Sequence, residues 1–182
     1  MKELVLWSLR LTREQTMDLV ADIPVHLGCA QAVPGEHHAV WTLGHLILAD
    51  SYLLTLLGDG RLPADFERLV ALFGPGAEAT PAAERYDSLP ALRQRLADLG
   101  DERQRAIAAR SEAALAQATP DPVLVRAQPT LAHHLHALVY HEGHHAGVLT
   151  AWRRTHGLAA VHWTFARPSA KATSLEGSIT DG

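Results

Sequence analysis

From about Thr130 to His156 the chain carries an apolar or imidazole side chain every three or four residues: Leu131, Leu135, Leu138, His141, His145, Leu149 and Trp152. That is the period of an α-helix with one face turned inward. Thr130 suits the N-cap and Gly157 the stop. Three other stretches repeat the pattern, with breakers between them. The first runs from about Glu3 to Ile23, with Leu4, Trp7, Leu11 and Leu19 among its apolar positions, and Pro24 interrupts it. The second runs from about Glu36 to Leu57, between Pro34-Gly35 and Gly58-Asp59-Gly60, with Trp41, His45, Leu48, Tyr52 and Leu56 as its inner face. The third runs from about Leu89 to Ala118. Ser88 fits its N-cap, Pro90 sits harmlessly in its first turn, and Pro120-Asp121-Pro122 stops it.

Residues 58–88 separate the second and third stretches and hold a short helical pattern over 63–72. Such a connection is too long for a tight antiparallel turn. The expectation is an all-α fold: a four-helix bundle with one long crossover between its second and third helices. The bundle is assigned to residues 1–158, and residues 159–182 read as a polar tail without periodicity.

At 182 residues the chain suits one compact domain. Its formal charge of −4, with both signs interspersed, gives no basic stripe for nucleic acid and no polybasic patch for a membrane surface. No window approaches the roughly 20 apolar residues of a spanning helix. The start, MKELVLWSLRLTREQ, lacks a signal-peptide pattern. The expectation is therefore a cytoplasmic protein with no nucleic-acid and no membrane partner. The single cysteine, Cys29, forms no intramolecular disulfide and makes no thiolate zinc site. It reads as a buried structural residue in the loop after the first helix.

The chain has 12 histidines. His26, His37, His38, His133, His136, His156 and His162 fall near helix ends or off the inner faces and read as surface residues. His134 lies nearer the inner face but seven residues from His141, about 10 Å along the axis, too far to share an ion with it. His45, His141 and His145 stand where the pattern calls for Leu or Val. A buried imidazole needs a partner for each ring nitrogen, and one divalent ion would serve all three. His141 and His145 are one turn apart, roughly 6 Å, on one side of their helix. His144 is the competing partner for His141, but it falls at the edge of the stripe and reads as an outer-rim or substrate-facing residue.

His141-Glu142-Gly143-His144-His145 also spells H-E-x-x-H, a zinc-hydrolase pattern. The extended protease form needs a Gly seven residues after the first His and a His ten after it, where this chain has Val148 and Ala151. The only later glutamate is Glu176, in the tail. A protease would thus lack its third ligand. Glu142 is kept as a candidate general base. Its plainer reading is a helix-surface carboxylate that holds a neighbouring His or Arg.

Two blocks resemble the DinB-like (damage-inducible protein B) superfamily of metal-binding four-helix bundles. AVWTLGHLILADSYLL (39–54) is similar to its W-x-x-x-H-L signature, and LVYHEGHHAGVLTAWRRTHGL (138–158) to its H-x-x-x-H-x-G signature. LRLTREQTMDLV (9–20) and Tyr86–Leu99 fit as well, so the resemblance spans roughly residues 3–158. It implies His45, His141 and His145 as the metal ligands. It also implies that Val148, where the family usually has Gln, removes a hydrogen bond behind the ligands. Some relatives are transferases or isomerases that use low-molecular-weight thiols such as bacillithiol or mycothiol, others are described as metal-dependent hydrolases, and members are often homodimers.

Three neutral imidazoles leave a divalent ion its full charge and at least one open position, which suits zinc or nickel, and also iron. Such a centre could hold a thiol as thiolate for attack on an electrophilic carbon, or activate a water with Glu142 as base. The resemblance alone favours the thiol. A third expectation is a stress-related binding protein without turnover. Val161, Trp163 and Phe165 suggest self-association, hence a homodimer.

Overall fold

The computed structural model describes residues 1–58 and 62–161. It contains α1 (Lys2–Val20), α2 (Ala39–Leu57), α3 (Phe66–Phe73), α4 (Leu89–Ala108), α5 (Glu112–Leu115) and α6 (Leu131–Thr155). Among the described residues there is no strand, only an isolated bridge between Ala118 and Thr130. The tail residues His162, Trp163, Phe165 and Glu176 lie outside the described residues.

Side chains start the helices where the sequence places acceptors. His38, Ser88, Ser111 and Thr130 accept from the backbone N–H groups of Trp41, Ala91, Ala114 and His133, each satisfying an otherwise orphaned donor. The expected third helix is shorter than its pattern. It ends at Ala108, and Ser111 caps the separate turn α5, whose Leu115 closes one end of the core.

Four long helices form a ring in the order α1, α6, α2, α4, and α3 packs on α2. Arg13 meets Glu142 and the oxygen of Leu19 meets Arg153, so α1 and α6 run parallel. Arg13 meets the oxygen of Leu96, while Arg103 reaches back to that of Leu9, so α4 runs against α1. Gly28 lies against both Val40 and Leu89, so α2 and α4 start at the same end. Parallel neighbours oblige the chain to travel back the length of the bundle between them. That return is the long crossover, and α3 lies within it.

Two apolar clusters fill the bundle. One gathers Leu19, Leu43, Ile47, Leu92, Leu96, Leu149 and Trp152, the other Leu9, Leu53, Leu57, Ile107, Leu135 and Leu138. Charged side chains stand among these buried residues: Arg13, Asp50, Arg103 and Glu142, at 7%, 2%, 1% and 2% exposure. The inner face of α1 is accordingly Leu9, Arg13, Thr16, Leu19 and Val20, whereas Leu4 and Trp7 are exposed.

In one respect α2 departs from expectation. Over Ala39–Leu57 its mean hydropathy reaches 1.4, so by length and composition it is apolar enough to cross a membrane. Two facts explain that apolarity as burial: 67% of the window is enclosed within the bundle, and its Asp50 is ion-paired there. Most helices of a ring bury one face; the first turns of α2 bury nearly every side, because α3 covers the remaining one.

Candidate metal centre

His45 projects from the second turn of α2, and His141 and His145 from successive turns of α6. The Nε2 of His141 lies 2.9 Å from the Nε2 of His45 and 3.2 Å from that of His145. The three candidate ligand atoms all fall within 4.8 Å of one another. The rings do not stack: their centroids are 4.9, 4.7 and 4.7 Å apart with interplanar angles of 60°, 56° and 85°. Nitrogens held about 2.0–2.1 Å from a tetrahedral ion stand roughly 3.3 Å from each other. The two shortest separations lie near that spacing, so the three-histidine group could hold a metal ion. These are the three residues that the sequence singled out, and the structure brings all of them together.

Their surroundings favour the neutral, ligating form. Burial pushes His145 down to about 3, helped by His45 and His141. It pushes His141 down to about 4, helped by His45 and His144. His45 is lowered by burial too, against the opposing effect of its bond to Phe73. That bond fixes the tautomer: Nδ1–H donates to the oxygen of Phe73 at 2.7 Å, which turns the Nε2 lone pair toward the other two rings. His145 has no such support. Its Nδ1 is buried without a partner among the described residues, and Val148 offers no polar atom.

The site opens into a cleft of about 610 Å³. One wall is a stack one turn apart along the chain: Trp41 lies over His45 with centroids 5.0 Å apart, and His37 lies over Trp41 at 3.7 Å. Two Pro-Gly turns frame the mouth. Glu36 N–H donates to Val33 O at 3.1 Å and Ala77 N–H to Gly74 O at 3.0 Å. Gly35 and Gly76 take φ of 79° and 82°, the left-handed position that a type II turn reserves for glycine after proline.

The other histidines divide. His144 is exposed and meets His145 edge-on at 5.3 Å, the rim position expected of it. His26, His133 and His136 are exposed as expected. His38 is not a surface residue but fully buried: its Nδ1 accepts from Trp41 N–H, so Nε2 carries the proton and donates to Thr80 O at 2.9 Å. His37 lines the cleft, and His156 stacks on Trp152. His134 is buried, pairs through Nδ1 with Gln128 Oε1, and takes no part in the triad. Cys29 is half-buried against the core, and burial pushes its thiol up, in keeping with a structural role.

Glu142 sits elsewhere than a general base should. Its Oε1 accepts from Arg13 Nε at 2.5 Å, and its Oε2 from Arg13 Nη2 at 3.2 Å and Arg103 Nη1 at 3.1 Å. Asp50 completes the group, taking Arg13 Nη2 at 2.7 Å and Arg103 Nη1 at 2.8 Å. Burial opposes the charge on Arg13, but attraction to Asp50 and Glu142 outweighs it and raises its pKa. The plainer reading of Glu142, a carboxylate that holds an arginine, describes this placement, although in the core and not on the surface. The general-base role draws no support from it. Sequence reasoning missed Arg13, Asp50 and Arg103. The available signals were an arginine on the inner stripe of α1 and an aspartate within the most apolar helix.

Fold and site together define an all-helical bundle with a three-histidine cluster between α2 and α6 that could hold a metal ion. The family model of the DinB superfamily matches residues 8–149, and the chain belongs to that superfamily. The matched span holds His45, His141 and His145. A search of curated proteins returned no match.

Proposed function

We propose that this protein is a metal- and thiol-dependent transferase that joins a low-molecular-weight thiol to small electrophiles. The observation that carries the reading is the convergence of three imidazole nitrogens beside an open cleft that His45 and His145 line. A divalent ion bound there, zinc or nickel, supplies Lewis acidity that lowers the pKa of a coordinated thiol or water. His45, His141 and His145 hold it, and Phe73 orients His45. The His37–Trp41 stack forms one wall beside the site, and the two Pro-Gly turns frame its mouth.

A thiol fits these residues better than water does. Sulfur attack forms one S–C bond while the leaving group departs with its electron pair, and the thiol proton passes to solvent. Hydrolysis with Glu142 as the base needs that carboxylate free to take the proton of an activated water. Glu142 is already engaged by two arginines.

A homodimer and a cytoplasmic setting go with this reading. Leu4 and Trp7 on α1 and Tyr140 on the adjacent α6 are 67%, 49% and 78% exposed, which suits a covered face. Light scattering on the full chain should give twice the chain mass. The cytoplasm keeps thiols reduced, and cell fractionation checks that location.

To test the activity, metal-loaded protein is incubated with monochlorobimane and, separately, bacillithiol, mycothiol or glutathione. Conjugation that accelerates with one thiol and stops with a chelator is the expected result. No acceleration with any of them overturns the proposal. Metal-dependent cleavage of ester or amide substrates would then point to a hydrolase, and metal binding without turnover to a stress-related binding protein.

A further inference from the structure

We propose that Arg13 and Arg103 are positioning residues of the metal centre: by bridging Asp50 on α2 to Glu142 on α6, they hold His45 opposite His141 and His145. The inference rests on the three histidines being a metal site, not on the reaction. His45 and Asp50 share α2, five residues apart, and Glu142 follows His141 directly on α6. Yet the α2–α6 contact is the sparsest in the ring. Packing between the two ligand-bearing helices therefore does little to fix one against the other.

The arginines supply that constraint from the other two helices. Each donates to both carboxylates, Arg13 at 2.7 and 2.5 Å and Arg103 at 2.8 and 3.1 Å. Each also donates to a main-chain oxygen of the opposite helix, Arg13 to Leu96 at 2.7 Å and Arg103 to Leu9 at 3.0 Å. All four helices are thus tied in axial register within one layer, adjacent to the histidines. Gly100 leaves the space: a Cβ there would stand 2.9 Å from Arg13 Nη1.

Stability alone does not account for the layer. Its charges sum to zero, and apolar side chains of similar volume often hold a core at least as well as a buried ion cluster. Fixed donors and acceptors specify one register, which matters where nitrogens from different helices must meet.

The test uses the full chain, with zinc affinity measured by chelator competition and the d–d spectrum of the cobalt-loaded protein as the geometric readout. One variant replaces the whole layer (Arg13→Met, Asp50→Leu, Arg103→Met, Glu142→Leu). A second, Gly100→Ala, presses on Arg13 and leaves every charge in place. The expected result is a folded layer variant, melting at or above the parent, that binds zinc about tenfold or more weakly, with an altered cobalt spectrum. A folded layer variant with zinc affinity within about twofold of the parent and the parent spectrum overturns the proposal. Should the layer variant fail to fold, Gly100→Ala decides by the same criteria. A parent that binds no metal overturns the site itself, and the positioning role with it.

Discussion

The Nδ1–H of His45 meets the backbone oxygen of Phe73 across 2.7 Å, and the residue before that histidine is a glycine whose missing side chain lets α3 approach. A Cβ on Gly44 would overlap the Phe73 ring. Alanine favours a helix interior over glycine by about 1 kcal/mol, whereas overpacking a filled core costs about 1–3 kcal/mol. Gly44→Ala should therefore lower the melting temperature and weaken metal binding together, as α3 withdraws the acceptor that orients His45. A variant that melts no lower and keeps its metal would show that α3 gives way at no cost.

Removing a ligand is the direct test of the centre. Protein purified without a histidine tag should carry about one divalent ion per chain. His45→Ala should lose it, since His141 and His145 alone leave an ion with only two protein donors. His144→Ala should keep it, because that ring is exposed at the rim. Full metal content in His45→Ala, measured by inductively coupled plasma mass spectrometry, would remove His45 from the set.

How much of this was legible beforehand depends on the kind of interaction. The long helices and the triad could be read because each is a local pattern: a period of three to four, with imidazoles in places that call for leucine. The crossover could be read from its length. The layer of Arg13, Asp50, Arg103 and Glu142 could not, because its partners lie 37 to 129 residues apart and a single inward charge has no pattern of its own. The acceptor on Phe73 is main chain, which every residue carries, so only Gly44 hinted at the close approach. The break after Ala108 leaves no mark in the helical pattern because alanine and arginine are both good helix formers. Ser111, as a cap, was the signal there. Nothing in the pattern sets His38 apart from a surface histidine near a helix end, because a histidine ring is an uncommon N-cap.

Acid should destabilise the metal-free protein in a defined window. His141 and His145 titrate near 4 and 3 when folded, against an ordinary 6.5. Below 6.5 the unfolded chain therefore takes up protons that the folded chain refuses. The stability is fully present above that value, declines as the pH falls toward 4, and levels off below the folded values. Asp22 and Asp65, held low by hydrogen bonds from Arg153 and Arg95, add their own loss only as the pH drops through 3.8. Melting temperatures of chelator-treated protein should thus fall across the upper window, and His141→Leu with His145→Leu should flatten the slope. A flat profile in the parent would mean that these rings are not buried as neutral groups.

Glu142 offers the sharpest contrast between two roles. Glu142→Gln keeps the shape but leaves Arg13 and Arg103 facing Asp50 alone, so a balanced layer gains one uncompensated positive charge. Breaking a buried pair in this way costs about 3–5 kcal/mol, and urea denaturation should show a loss of that order. Adding Arg103→Met removes the excess charge, so the double variant should be more stable than the two single losses add up to. A general base behaves otherwise: its replacement by Gln leaves the fold intact and removes the acid limb of the rate profile. Unchanged stability in Glu142→Gln, with that limb lost, would move the carboxylate out of the layer and into the chemistry.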